Sequence, residues 1–207
     1  FMLTSIHPGE GKTFLSYNVA SIYAKSGKKV ILVDFDLHKP RVHKLLELSN
    51  ENGGSSYLSG NITIDNLKVH HLENNLDVIT SGIVPPNASE LVLSDKVKEL
   101  LSKLRNEYDF VFIDTPPIGY ISDGIVLMNL VDNSIFVMNA KKANKKGIKF
   151  LEDVVSKSNL KHKGVVLNGV KQNRWKYMYG KYGYGYGYGY GYGYGYGYGQ
   201  DNDKSSK

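Results

Sequence analysis

His7-Pro8-Gly9-Glu10-Gly11-Lys12-Thr13 is a phosphate-cradling loop, set between a short apolar run, Phe1-Met2-Leu3, and a helical pattern that begins at Phe14. A strand must end sharply there so that successive backbone N–H groups turn inward on one phosphate, and residues without a Cβ, Gly9 and Gly11, permit the turn. In such a loop the lysine, Lys12, reaches the β- and γ-phosphate oxygens. The hydroxyl of Thr13 ligates Mg²⁺ at the positive end of the new helix. The pattern departs from its usual form at one place: a glycine is expected five residues before Gly11, and the chain has Ile6.

Working outward, Phe14, Leu15, Val19, Ile22 and Tyr23 recur at helical spacing and are expected to form the buried face of a helix that stops at Lys25-Ser26-Gly27. Val30-Ile31-Leu32-Val33 is an unbroken apolar run, as in a parallel strand buried on both faces. It ends at Asp34-Phe35-Asp36, which puts two carboxylates at the carboxyl edge of the sheet, where open α/β folds bind ligands. Residues 41–48 read as a short amphipathic helix and 50–61 as a loop. Leu76–Thr80 reads as a strand, and Asn87 or Ser89 as the cap of a helix behind Pro85-Pro86. A helix over 94–106 leads into Phe110-Val111-Phe112-Ile113, a second buried strand with Asp114 at its tip. Helices near 125–130 and 145–156 and strands at 134–138 and 164–168 follow, the last read as a core strand.

This alternation predicts an α/β fold: a mostly parallel sheet flanked by helices on both faces, in one domain over residues 1–170. Right-handed crossovers bring the loops after Ser5, Val33, Ile113 and Leu167 to one edge. Asp34, Asp36, Asp114 and Asn168 are thereby gathered beside the phosphate loop.

Composition narrows the classes. The chain has no cysteine, which excludes disulfides and thiolate metal sites and fits a reducing setting. His38 and His43 lack the company of a metal-ligand spacing and read as surface residues. The sequence holds no apolar run of eighteen residues and opens on its first strand with no leader, so it is expected to be cut from something longer. The formal charge is +6, yet residues 171–207 carry six lysines and arginines against two aspartates, which leaves only +2 for the body. A nearly neutral body argues against nucleic acid as a partner.

Residues 171–207 are a separate, tyrosine-rich tail. From Tyr182 to Gly199 the pair Tyr-Gly repeats nine times, preceded by Trp175, Tyr177 and Tyr179. In an extended strand every tyrosine would lie on one face, but glycine at half the positions makes ordering entropically costly, so a flexible segment is expected. Beside an ATP-type site such a tail reads as a substrate. Phosphate on nine tyrosines would add about −14 to −18 charges, enough to overwhelm the chain's +6. From Lys171 to Tyr198 a flexible segment reaches about 30 Å, which leaves transfer in cis and in trans both open.

Taken together, these stretches resemble the catalytic domain of the bacterial tyrosine kinases (BY-kinases) of capsule and exopolysaccharide biosynthesis. Ser5–Thr13 is similar to the family's phosphate loop, which likewise lacks the first glycine. Ile31–Asp36 is similar to its second, aspartate-bearing motif, and Phe112–Pro117 to its Walker B segment. Pro85–Leu91 and Gly164–Asn168 also resemble family segments, with Ala88 in place of a usual proline. The resemblance implies an ATP- and Mg²⁺-dependent protein-tyrosine autokinase. Pro8, Gly9, Glu10, Gly11, Lys12, Thr13, Phe14 and Asn168 would bind nucleotide, Asn168 on the adenine. Thr13, Asp36 and Asp114 would hold the metal, directly or through water. Lys12 and Asp36 would act in transfer, and Asp34 would be the base that accepts the tyrosine proton. The acceptors would be Tyr177, Tyr179, Tyr182, Tyr184, Tyr186, Tyr188, Tyr190, Tyr192, Tyr194, Tyr196 and Tyr198.

The resemblance also implies a ring-like homo-oligomer, a transmembrane polysaccharide co-polymerase as partner or adjoining region, other protein tyrosine substrates, and a place on the cytoplasmic face of the bacterial membrane. Where relatives carry arginine after the second motif, this chain has Leu37-His38-Lys39-Pro40-Arg41, so cationic help would fall to Lys39 or Arg41. The Glu-Arg-Arg helix that relatives use to form rings is absent from these residues. Two other readings fit the sheet and its carboxylates. One is a dimerising switch ATPase of the partitioning or division-site kind, which would carry lysine at the place of His7; the other is a nucleotide-binding adaptor whose tail docks a partner.

Overall fold

The computed structural model describes residues 1–158 and 160–171; the tail from residue 172 on, with all its expected acceptor tyrosines, lies outside the described residues. Phe1–Val170 forms one compact unit. Its seven strands are β1 (Met2–Ser5), β2 (Val30–Asp34), β3 (His70–His71), β4 (Leu76–Ile79), β5 (Phe110–Asp114), β6 (Asn133–Asn139) and β7 (His162–Asn168). They form one sheet in the order β3-β4-β2-β5-β1-β6-β7. All neighbours are parallel except β3, a two-residue strand too short to show a period in the sequence, which pairs antiparallel with β4.

Strand alternation sorts the core onto the sheet's two faces. Val30 and Leu32 of β2, Phe112 of β5 and Leu3 of β1 join one apolar cluster with Ala20 and Ala24 of α1 (Lys12–Lys25). Ile31, Val33, Ile113 and Met2 point the other way, into a larger cluster that includes Leu127 of the helix α6 (Asp123–Met128) and Leu151 and Val154 of α7 (Lys145–Lys157). On that side α5 (Asp95–Glu107) buries Val97, Leu100, Leu101 and Leu104, the i, i+3, i+4, i+7 stripe of an amphipathic helix. Each such leucine contributes about 1.5–3 kcal/mol by leaving water.

The helix after the phosphate loop departs from expectation. It starts at Lys12 rather than Phe14, and the residues it buries are Lys12, Ser16, Ala20 and Ala24. Phe14 and Ile22 are 62% and 65% exposed. Small side chains at i, i+4 spacing let the helix axis approach the sheet closely, while Leu15, Val19 and Tyr23 flank the contact half-buried.

Four other expectations are corrected. The segment read as a loop contains a helix, α3 (Gly54–Leu58), which buries Tyr57 and Leu58. The amphipathic helix expected over 41–48 is a single turn, α2 (Val42–Leu45), that buries only Val42. A further short helix, α4 (Ala88–Val92), follows Asn87, whose side chain bonds Glu90 rather than capping the backbone. Strand β7 is the sheet's edge, with Val165 and Leu167 58% and 53% exposed, so periodicity told it from a loop but not from a core strand.

Candidate active site

The carboxyl ends of β1, β2, β5, β6 and β7 meet at one sheet edge, as the crossovers require. The loop after β1 bends at Gly9 (φ +74°) and Gly11 (φ +94°), left-handed conformations that cost glycine little. Gly11 is also crowded, since a Cβ there would lie 2.1 Å from the Asn168 side-chain nitrogen.

What holds the loop in shape is Glu10, which is buried. One carboxylate oxygen accepts the backbone N–H groups of Ile6 (2.9 Å) and His7 (2.8 Å), and the other accepts that of Asn139 (3.2 Å). Of the residues expected to bind nucleotide, Glu10 therefore turns its side chain to the protein's own backbone; only its main chain is available to a phosphate. Asn168 donates its amide to the Glu10 carbonyl at 2.9 Å, and Lys142 donates its ammonium to the Pro8 carbonyl at 3.1 Å. Ends of β6 and β7 thus brace the loop from outside.

Lys12 is buried at the start of α1 and stands 3.3 Å from both Asp36 and Asp114. Burial alone would lower its pKa, but the charges of Asp114, Asp36 and Asp34 reverse the shift and raise it, so the ammonium stays charged. Thr13 donates its hydroxyl to Asp114 at 2.7 Å, and Ser16, one turn along the same face, donates to the other oxygen of Asp114 at 3.1 Å. Burial pushes the Asp114 carboxyl above the usual range, against the pull of Lys12, Thr13 and Ser16. Lys12, Thr13, Asp36 and Asp114 are thus brought together as expected from their positions at the sheet edge.

Asp34 is close by but differently engaged. Its two oxygens accept the backbone N–H groups of Asp36 and Val42, each at 3.1 Å, and Asp36 in turn accepts that of Lys39 at 2.9 Å. The two aspartates fold residues 34–42 into a fixed rim. Burial, and then the neighbouring charge of Asp114, push the Asp34 carboxyl up to about 8.

A cavity of about 560 Å³ opens over the loop. Buried Lys12 and Asp36 with Thr13 form its floor, the segment after β2 contributes Lys39, Arg41 and Lys44 as one wall, and the segment after β5 contributes Pro117, Tyr120 and Ile121. Phe14, an expected nucleotide contact, also lines it. His38, read as a surface residue, lies in the same wall, and its Nε2 is 2.9 Å from the buried carboxylate of Asp123. Ser16, Lys142, Asn139, Tyr120 and the His38–Asp123 pair belong to no motif of the sequence. Only Ser16 carried a legible signal, lying four residues after Lys12 on one helix face.

Comparison with known proteins agrees with this geometry. Residues 3–165 match the AAA domain family AAA_31. The chain is 38% identical over 184 residues to a Staphylococcus aureus protein named putative tyrosine-protein kinase CapB, covering 87% of this chain and 80% of that one. The solved kinase domain of the Escherichia coli tyrosine kinase ETK superposes with a TM-score of 0.78 at 35% identity, covering 90% of this chain and 71% of that one. A plasmid partition protein from Borrelia burgdorferi, solved with AMPPNP, reaches 0.63 at 23% identity, covering 86% of this chain and 78% of that one, which shows the fold alone. From the phosphate loop, the paired aspartates on β2 and β5 and these likenesses, the chain belongs to the bacterial tyrosine kinases of the P-loop class.

Proposed function

We propose that this chain is an ATP-dependent protein-tyrosine autokinase whose acceptors are the tyrosines of its own Tyr-Gly segment, and that it serves capsular or exopolysaccharide assembly. The observation that carries the reading is Lys12, a buried cation shared by Asp36 and Asp114, in a chain whose sequence carries nine Tyr-Gly pairs. Phosphoryl transfer asks little covalent chemistry of a protein; it needs positioning and charge neutralisation.

Backbone N–H groups of the glycine-bent loop and the Lys12 ammonium would hold the β- and γ-phosphates of ATP. The Thr13 hydroxyl and the Asp36 and Asp114 carboxylates are hard oxygen donors on one side of the floor, a set that suits Mg²⁺. When bound, the metal supplies charge neutralisation on the phosphates. The acceptor's phenolic oxygen enters above the floor and bonds the γ-phosphorus as the bond to the β–γ bridging oxygen breaks; ADP leaves and the phenolic proton departs. Asp34, in its ionised form, which its raised pKa makes the stronger base, is the candidate for that proton, and Asn168, already against the loop, for the adenine side. Among the described residues no helix is long and apolar enough to cross a membrane. A place on the cytoplasmic face of the bacterial membrane, with a transmembrane co-polymerase partner and a ring of copies, is part of the proposal.

Incubating the chain with Mg²⁺-ATP and reading intact mass tests it. Phosphate increments are expected on the full chain and on neither Lys12→Met nor a chain ending at Val170. Hydrolysis with no phosphotransfer would favour a switch ATPase, and binding with neither reaction an adaptor.

A further inference from the structure

Three cations stand on one edge of the cavity with no carboxylate within ion-pairing distance among the described residues: Lys39, Arg41 and Lys44. All three are exposed, unlike Lys12 on the floor. Their side chains are free, but their backbone is not. Asp36 holds the Lys39 N–H, Asp34 holds the Val42 N–H, Val42 is fully buried, and Leu45 N–H bonds the Arg41 carbonyl. A strip whose backbone is tied down by hydrogen bonds and which presents exposed, unpaired cations next to a phosphate-transfer floor is suited to receive an anion that leaves that floor.

The anion a tyrosine kinase produces at this spot is a phosphotyrosine, with about −1.5 to −2 charges and three strong acceptor oxygens. In the Tyr-Gly repeat the next acceptor lies two residues on, about 6.6–6.8 Å in an extended chain and on the same face. Lysine and arginine side chains span such an interval readily. Resting on the kinase reading above, we propose that Lys39, Arg41 and Lys44 form a phosphotyrosine-docking rim that keeps a freshly modified segment engaged while the next tyrosine moves onto the floor. Transfer along the repeat is then processive: the rim binds the product of one transfer and thereby places the substrate of the next. Because the contact is charge against charge on an exposed edge, it weakens with salt. The chemistry is the same whether the segment belongs to the same chain or to another copy.

The test uses the full chain. Autophosphorylation is quenched at a mean of about two phosphates per chain and the intact masses are counted. The rim predicts unmodified and heavily modified chains side by side, far broader than a Poisson distribution, and a collapse to Poisson at the same mean in K39Q/R41Q/K44Q. A Poisson distribution for the unaltered chain, or a broad one that survives in the variant, overturns the rim. In parallel, a labelled Gly-Tyr-Gly-phosphoTyr-Gly peptide is expected to bind the chain with Mg²⁺-ADP at least tenfold more tightly than its unphosphorylated form, and K39Q/R41Q/K44Q or 300 mM salt to erase the difference. Equal binding of the two peptides overturns the rim. Absence of phosphate on every chain would instead sink the kinase reading, and the peptide measurement would still decide the rim.

Discussion

Asp34 and Asp114 are register partners at the carboxyl ends of adjacent parallel strands, yet their side chains serve opposite neighbours. Asp114 takes the Thr13 and Ser16 hydroxyls of the helix behind the phosphate loop, while Asp34 takes the backbone of its own loop. Two carboxylates side by side in the interior raise each other's cost of ionisation. Lys12 is the compensating charge.

Replacing Asp34 by Asn separates its two proposed services. Asparagine presents one acceptor oxygen where the carboxylate presents two, so one buried N–H loses its partner and stability falls by about 1–3 kcal/mol. Nucleotide binding should persist, read by titration calorimetry, and phosphotransfer should fall by about 10²-fold or more if Asp34 takes the tyrosine proton. Transfer at an unchanged rate would leave Asp34 as a loop brace alone.

The raised Asp34 carboxyl also sets a pH dependence. Its folded pKa of about 8 stands above the ordinary 3.8, so the folded state holds a proton that the unfolded state has released. Stability therefore declines as pH rises from about 4 towards 8, and the D34N variant should show a flatter profile across that window. Chemical denaturation of both proteins without nucleotide at pH 5, 6.5 and 8 measures it. A ligand-free protein equally stable at all three pH values would contradict the assignment.

Glu10 is the strongest single tie in the phosphate loop. Removing its carboxylate with Glu10→Ala strands three backbone N–H groups that it now accepts, and a loss of about 2–4 kcal/mol follows. Nucleotide affinity should drop by about tenfold because the loop must be ordered on binding. Differential scanning calorimetry and titration of ATP report the two effects separately.

Gly11 and Asn168 form a steric pair that a double substitution can weigh. Gly11→Ala meets both a φ of +94° and the Asn168 amide, and should cost about 1–3 kcal/mol and most nucleotide binding. Adding Asn168→Ala removes the clash but not the backbone strain, so recovery should be partial. Full additivity of the two losses would show that the side chains do not meet.

Much of this was legible because chemistry and periodicity coincided. Val30–Val33 and Phe110–Ile113 announced buried parallel strands, each ended in an aspartate, and crossover handedness did the rest. The loop's glycines marked real left-handed turns. What the sequence hid were contacts between distant segments: Lys142 to Pro8, His38 to Asp123, Asn139 to Glu10. It also hid the tight face of α1, because alanine and serine carry too little apolar signal to outweigh Phe14 and Ile22, which stay at the surface. The motif places Glu10 in the phosphate loop but is silent on its side chain, because a motif records which residues recur, not which way each side chain turns.

Ile6, the residue standing where a glycine was expected, is buried, and the chain makes room for it elsewhere. A Cβ on Gly119 would lie 2.4 Å from the Ile6 carbonyl, and one on Gly147 would touch its side chain at 3.4 Å. The first residue of the phosphate loop is thus part of the hydrophobic core that α7 shares. A ligand that orders this loop must also quieten the sheet beneath it, so nucleotide should slow amide hydrogen exchange in β1 and the first turn of α7.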